Sequence, residues 1–188
     1  MTTCRYDQRI HTYGKDTGNT TTTKNTLMIV RQATISDAAV ISTLNADVQY
    51  LHAQALPELF KSPSENTFAA SSVVDLLKDA SNFMFIGFEK GEPVGYIYAQ
   101  VMSLPENPFR YAMDYIYIHH LAVTAKYQNQ GYGTRLIEEV RLFAQTKEIL
   151  TLVLDVWSFN VKAKAFFEQQ GFSNFNERMW LRLDNSRA

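Results

Sequence analysis

The stretch from Leu121 to Leu136 constrains this chain more than any other, because a strand end, a glycine-paired loop and a helix start follow one another there. Leu121-Ala122-Val123 closes an apolar run that begins near Tyr111. The loop reads Gln128-Asn129-Gln130-Gly131-Tyr132-Gly133-Thr134. Beyond it, Leu136, Ile137, Val140, Phe143 and Ala144 recur at helical spacing. Glycines let the backbone approach a ligand closely. The amides and dipole of a helix N-terminus favour an anion such as a pyrophosphate. The spacing excludes two common phosphate loops: no Gly-Lys-Ser/Thr follows, and Leu136 stands where a dinucleotide fingerprint needs its third glycine. A plain turn before a helix has similar residues, so the loop alone names no ligand.

The rest of the chain alternates strand and helix signals. Strands are predicted at Met28–Gln32, Phe83–Glu89, Val94–Met102, Tyr111–Val123 and Leu150–Val156, with Phe172–Phe175 and Met179–Leu183 as a closing pair. Ser36-Asp37 starts a helix carrying Val40, Ile41, Leu44, Val48 and Leu51 on one face, and a shorter helix is expected at Ser71–Leu77. Asn160 caps a helix that Gly171 ends. Residues 1–27 are rich in Thr, Asn, Gly and charge and bury too little to offset their ordering entropy. They are expected to form a flexible polar extension, and residues 28–188 a single domain without internal repeats.

Charge and cysteine content narrow the function classes. The net charge of -1 provides no basic field for nucleic acid or an anionic membrane. No apolar run is long enough for a membrane span, and Met1–Asp7 lacks the apolar core of a secretory signal, so a cytoplasmic location is expected. The one cysteine, Cys4, lies in the polar extension, which excludes an internal disulfide and disfavours covalent cysteine chemistry. No metal is expected, since a chain of 188 residues can bury a core without one.

Gln128-x-x-Gly131-x-Gly133 resembles the pyrophosphate loop of the GNAT superfamily of acetyl-CoA-dependent N-acetyltransferases, and Leu121-Ala122-Val123 resembles the strand before it. A second block, Leu154-Asp155-Val156 through Asn160, Ala163, Phe166-Phe167-Glu168 and Gly171-Phe172, resembles the family's closing strand–helix–strand segment. The resemblance runs from Met28 to about Leu183. It implies an α/β fold with a mixed, mostly antiparallel sheet flanked by helices. That sheet would splay between the fourth and fifth strands in family order, here Tyr111–Val123 and Leu150–Val156. It also implies acetyl-CoA as co-substrate and an amine as acceptor. Leu121, Ala122 and Val123 would hold the pantetheine arm and thioester through their backbone. Gln128, Asn129, Gln130, Gly131, Tyr132, Gly133 and Thr134 would hold the pyrophosphate, and Asn160 and Phe167 would meet the cofactor from the closing helix. Many family members dimerise, so a homodimer is compatible with the resemblance, although no residue indicates one.

Strict strand alternation puts Tyr117, His119, Leu121 and Val123 on one face and assigns His120 to the other, as a structural residue. His119 resembles the histidine that arylalkylamine acetyltransferases carry two residues before this leucine, and it is the candidate base. A hydrogen-bonded strand histidine, or a base acting through water, fits the same residues. Many family members carry a tyrosine as acid where this chain has Phe167. Either the thiolate leaves unassisted, or a hydroxyl such as Tyr117 or Ser158 substitutes, or the domain binds acyl-CoA without turnover. The expected activity is acetyl transfer to a primary amine of a small molecule. The alternatives are a protein N-terminal or lysine acetyltransferase and a non-catalytic acyl-CoA sensor.

Overall fold

The computed structural model describes residues 11–13 and 28–183 of the chain. These residues fall in two compact units, one ending at Asp155 and one starting at Val156.

The first unit is a six-stranded sheet in sequence order. Its strands are β1 (His11–Tyr13), β2 (Met28–Gln32), β3 (Asn82–Glu89), β4 (Glu92–Leu104), β5 (Met113–Val123) and β6 (Leu152–Leu154). Neighbours pair antiparallel from β1 to β5, and β6 joins β5 in parallel. His11–Tyr13 pairs with Met28–Val30, so three residues of the expected extension form an edge strand. The remainder of residues 1–27 lies outside the described residues.

β3 shows how the sheet is packed. Six of its residues, Asn82 through Gly87, are buried in a row, which is the pattern of a strand covered on both faces. Met84 and Ile86 join Ile41 and Leu44 of helix α1 (Ala38–Ala55) and Val73 of α2 (Ala70–Lys78). Phe83 stacks on Phe143 of α3 (Tyr132–Thr146) at 3.9 Å, and Phe85 meets the same ring edge-on at 6.4 Å. Burial of large side chains such as these is worth about 1.5–3 kcal/mol each.

The start of α1 is held by a polar clasp. Arg31 Nη1 and Nη2 donate to the two Asp37 oxygens at 2.8 and 2.7 Å, and Thr34 N donates to Asp37 Oδ2 at 2.8 Å. Asp37 forms the end of a 3-10 turn, Ile35–Asp37, that leads into the helix. Leu51, expected on the apolar face, is 46% exposed because the core-facing stripe runs through Ile41, Leu44 and Asn45.

The second unit contains α4 (Val161–Gln169). Asn160 caps it, its Oδ1 accepting from Ala163 N at 3.1 Å, as its sequence position predicts. The closing strand pair does not form: residues 172–183 have no strand structure. Met179, Leu181 and Leu183 are all more than four-fifths exposed, so their alternation is not matched by burial.

The clasp makes stability depend on acid. Its hydrogen bonds to Arg31 hold the Asp37 carboxyl down to about 2 from an ordinary 3.8. The native state keeps Asp37 ionised where the unfolded chain protonates it. Its contribution is therefore complete above 3.8 and is lost as pH falls toward about 2. Thermal unfolding followed over that window should lose less melting temperature in Asp37→Asn than in the parent chain. Equal losses would show that this pair does not carry the effect.

Candidate active site

β5 carries one more residue than β4 across the centre of their ladder. Tyr98 pairs with His120 and Ala99 with Ile118, which leaves His119 as the inserted residue of a β-bulge. Directly opposed residues share a face. Tyr96, Tyr98 and Ala122 lie in the core under α1 and α2, so His120, opposite Tyr98, faces that side. Tyr117, opposite Gln100, faces it too. The His119 ring stacks on Tyr98 at 4.6 Å and meets Tyr117 edge-on at 4.7 Å. Leu121 and Val123, opposite Ile97 and Gly95, turn to the α3 side.

The expected grouping is thereby corrected. Strict alternation joins His119 to Leu121 and Val123 and separates it from His120. The bulge shifts the phase by one, so Tyr117, His119 and His120 share the face while Leu121 and Val123 leave it. Nothing in the spacing of the apolar residues reveals the insertion.

The two histidines sit in different surroundings. Asn45 Nδ2 donates to Tyr96 Oη at 2.9 Å, and Tyr96 Oη lies 3.0 Å from His120 Nδ1. Phe68, from the link between α1 and α2, meets the His120 ring at 4.8 Å. Burial pushes the Tyr96 hydroxyl well above its ordinary value, so it remains a donor. Burial also pushes His120 down to about 4, and the charges of His119 and His52 add to the fall. His119 is exposed on one side, and burial of the other lowers it from 6.5. Its Nε2 lies 3.1 Å from Gln100 Oε1. Tyr117 Oη donates to Asp155 Oδ2 at 2.8 Å. Asn45, Phe68 and Gln100 escape sequence reasoning. Of the three, Gln100 has a signal, since it follows Tyr98 by two on the same strand face.

Tyr96 is fully buried and Tyr98 is 6% exposed, its hydroxyl donating to Asn82 Oδ1 at 2.9 Å. Those two are core. In the second unit Trp157 and Phe159 stack on each other at 6.3 Å, and Phe167 packs on Phe166 and Phe172.

At the sheet edge, β6 pairs with β5 only from Ile116–Leu152 to Ile118–Leu154. Leu121, Ala122 and Val123 run on past the end of β6, toward the glycine loop. Contacts to the strand ends hold that loop in place. Gln128 Nε2 donates to Val123 O at 2.9 Å, Thr124 N donates to Val94 O at 3.0 Å, and Tyr132 Oη donates to Glu89. Tyr132 is 2% exposed, so its side chain anchors the loop from below and leaves only its backbone for a ligand. Gly131 has φ 85°, a left-handed conformation that favours glycine, and Asn129 has φ 58°. A Cβ on Gly131 would meet nothing within 4 Å, so the space beside it is open. α3 then starts, with Arg135 N donating to Gly131 O at 3.2 Å. Gly95, by contrast, allows β4 and β5 to close up, since a Cβ there would collide with the Ala122 carbonyl.

A mostly antiparallel sheet with one parallel edge pair, ending beside a glycine loop on a helix N-terminus, defines the GNAT acyltransferase fold. The family model described as acetyltransferase (GNAT) family matches residues 46–172, and the chain belongs to that family. It is a GNAT-family N-acetyltransferase. Among relatives, it is 27% identical over 148 residues to the uncharacterized N-acetyltransferase YhfO of Bacillus subtilis, covering 77% of this chain and 89% of that protein. Its fold is similar to a tetramutant of the BH1408 protein from Bacillus halodurans, with TM-score 0.78 and 24% identity, over 82% of this chain and 99% of that one. It is also similar to the aminoglycoside N-acetyltransferase AAC(6')-Iy in complex with CoA, with TM-score 0.65 and 14% identity, over 85% of this chain and 97% of that one.

The surroundings of the histidines set their order of protonation. In an NMR pH titration His119 should gain its proton first, below the ordinary 6.5, and His120 only near about 4. A His120 midpoint close to 6.5 would mean that its ring is solvated and the Tyr96 bond is not held.

Proposed function

We propose that the chain transfers the acetyl group of acetyl-CoA directly to a primary amine of a small molecule, with His119 as general base. The observation that carries this reading is the termination of β5–β6 pairing at Ile118–Leu154, just before Leu121–Val123 reaches the glycine loop. An extended pantetheine can add to such an edge much as a strand would. The open space at Gly131 and the N-terminal end of α3 suit the pyrophosphate that follows it. Asn129 and Gln130 belong to the same proposed loop, Gly133 and Thr134 to the first turn of α3, and the family resemblance adds Asn160 and Phe167 as cofactor residues.

An alkylammonium with a reference pKa of about 10.4 must lose a proton before it can attack. A neutral His119 accepts that proton near neutral pH. The amine nitrogen then bonds to the thioester carbon, the carbon–sulfur bond breaks, and its electron pair leaves with the sulfur. The nitrogen sheds a second proton, and one proton in all ends on the CoA sulfur. Ser158 and Tyr117 are the candidate hydroxyls to donate it, Tyr117 being the one that touches the His119 ring. Its bond to Asp155 weighs against that role, because a phenolate there would face a carboxylate. A thiol with a pKa of about 8.5 leaves without an enzyme acid, consistent with Phe167. Asp155, exposed at the end of the Tyr117 bond, suits a cationic acceptor. Aminoglycoside acetyltransferases among the structural neighbours are in keeping with small amines as substrates. The second reading, a sensor that binds acyl-CoA without turnover, rests on Phe167, and amine-dependent thiol release measured with a panel of amines would exclude it.

Gly131→Asp and Gly133→Asp should abolish acetyl-CoA binding in isothermal titration, since a carboxylate would stand where the pyrophosphate sits. Unchanged affinity in either would remove the loop as the cofactor site.

His119→Ala should lower kcat at neutral pH by roughly 100-fold or more, without changing acetyl-CoA affinity. The deficit should narrow at alkaline pH, where free amine is abundant. An equal rate across the pH range would remove His119 as the base.

A further inference from the structure

A chain of hydrogen bonds leads away from His119 to a carboxylate on the surface. His119 Nε2 lies 3.1 Å from Gln100 Oε1. Gln100 Nε2 lies 3.2 Å from Ser81 Oγ. Ser81 Oγ lies 2.9 Å from Asp79 Oδ1, which also accepts from Ser81 N at 2.9 Å. The donor direction along this chain follows from its acidic end. Those two bonds from Ser81 hold the Asp79 carboxyl below its ordinary value, so it is ionised and can only accept. The Ser81 hydroxyl therefore spends its single proton on Asp79. Its oxygen can then only accept from the Gln100 side, which requires the Gln100 amide NH2 to face it. The Gln100 carbonyl oxygen must in turn face His119, and an oxygen there requires a proton on His119 Nε2.

We propose that Asp79, Ser81 and Gln100 are positioning residues that hold His119 in the Nε2–H tautomer and make Nδ1 its basic atom. This rests on the reading of His119 as the base. The acceptor ammonium gives its proton to Nδ1, and the imidazolium so formed strengthens its Nε2–H bond to Gln100. Ser81 is tied to β4 by its carbonyl, which accepts from Val101 N at 2.8 Å, so the chain rests on the sheet and not on a loose turn. Tyr98 stacked on the ring fixes its plane. The adjacent histidine has no equivalent freedom, because its Nδ1 is already engaged by Tyr96 Oη at 3.0 Å. The other titratable groups around His119 are Tyr98 on β4 and Tyr117 and His120 on β5, with Asp155 beyond Tyr117 and Asp79 beyond Gln100.

The test combines nitrogen NMR of the His119 ring with kinetics of Gln100→Leu, Ser81→Ala and Gln100→Glu in the full chain. The neutral parent ring should show the proton on Nε2, and Gln100→Leu should show a mixture of tautomers. Gln100→Leu should lower kcat by about 10-fold or more, as loss of tautomer control does elsewhere, with acetyl-CoA affinity and melting temperature retained. Ser81→Ala should lower kcat in the same direction and by less. Gln100→Glu should restore the Nε2–H tautomer and raise the midpoint of the pH–rate profile, because its carboxylate favours the imidazolium. A parent ring with its proton on Nδ1 would overturn the proposal. So would Gln100→Leu turning over at the parent rate while His119→Ala is impaired, and in that case the base reading would stand. His119→Ala at the parent rate would remove both.

Discussion

Between the Tyr98–His120 and Ala99–Ile118 pairs the β4–β5 ladder holds one residue too many, and the face of the sheet that carries the histidines is arranged around that surplus. An inserted residue bends its strand and raises its local twist. It falls one position after β6 stops pairing with β5. The strand therefore changes direction where the parallel edge ends, and Leu121–Val123 runs on toward the glycine loop paired with β4 alone. The same insertion puts two consecutive histidines on one face, which a regular strand cannot do.

Those histidines are then set apart by what reaches them. From the helix side, Asn45 and Tyr96 close on His120, and burial keeps it neutral with Nδ1 engaged. From the strand side, Asp79, Ser81 and Gln100 reach His119 at Nε2 and leave the other nitrogen as its basic atom. Two imidazoles of equal intrinsic basicity thus receive different work from the direction of the hydrogen bonds they make. Phe68 and Tyr98 complete the division by covering His120 and flooring His119.

The glycine loop is positioned by side chains that are not glycine. Tyr132 reaches down to Glu89 at the end of β3, and Gln128 reaches back to the Val123 carbonyl at the end of β5. Gly131 supplies the left-handed turn between them. Anchors to two different strands hold the start of α3 against the sheet, so its N-terminal amides face a defined place.

The sequence by itself determined the order of strands and helices from Met28 to Gln169, the glycine segment at Gln128–Thr134, the cap at Asn160 and the family. Each of these depends on residues close together in the chain: apolar periodicity, glycine placement and a capping side chain. Sequence reading misjudged the end at Phe172–Leu183, where an alternating apolar pattern forms no strand, because pairing needs a partner that local residues do not specify. Only the tertiary structure decided which side chains meet at the site. The bulge at His119 arises from register between two strands, and Gln100, Ser81 and Asp79 lie between 19 and 40 residues from it in sequence. Register is a property of two strands at once, and a one-residue shift exchanges every face beyond it, which is why the face that carries both histidines could be read only after the sheet was assembled.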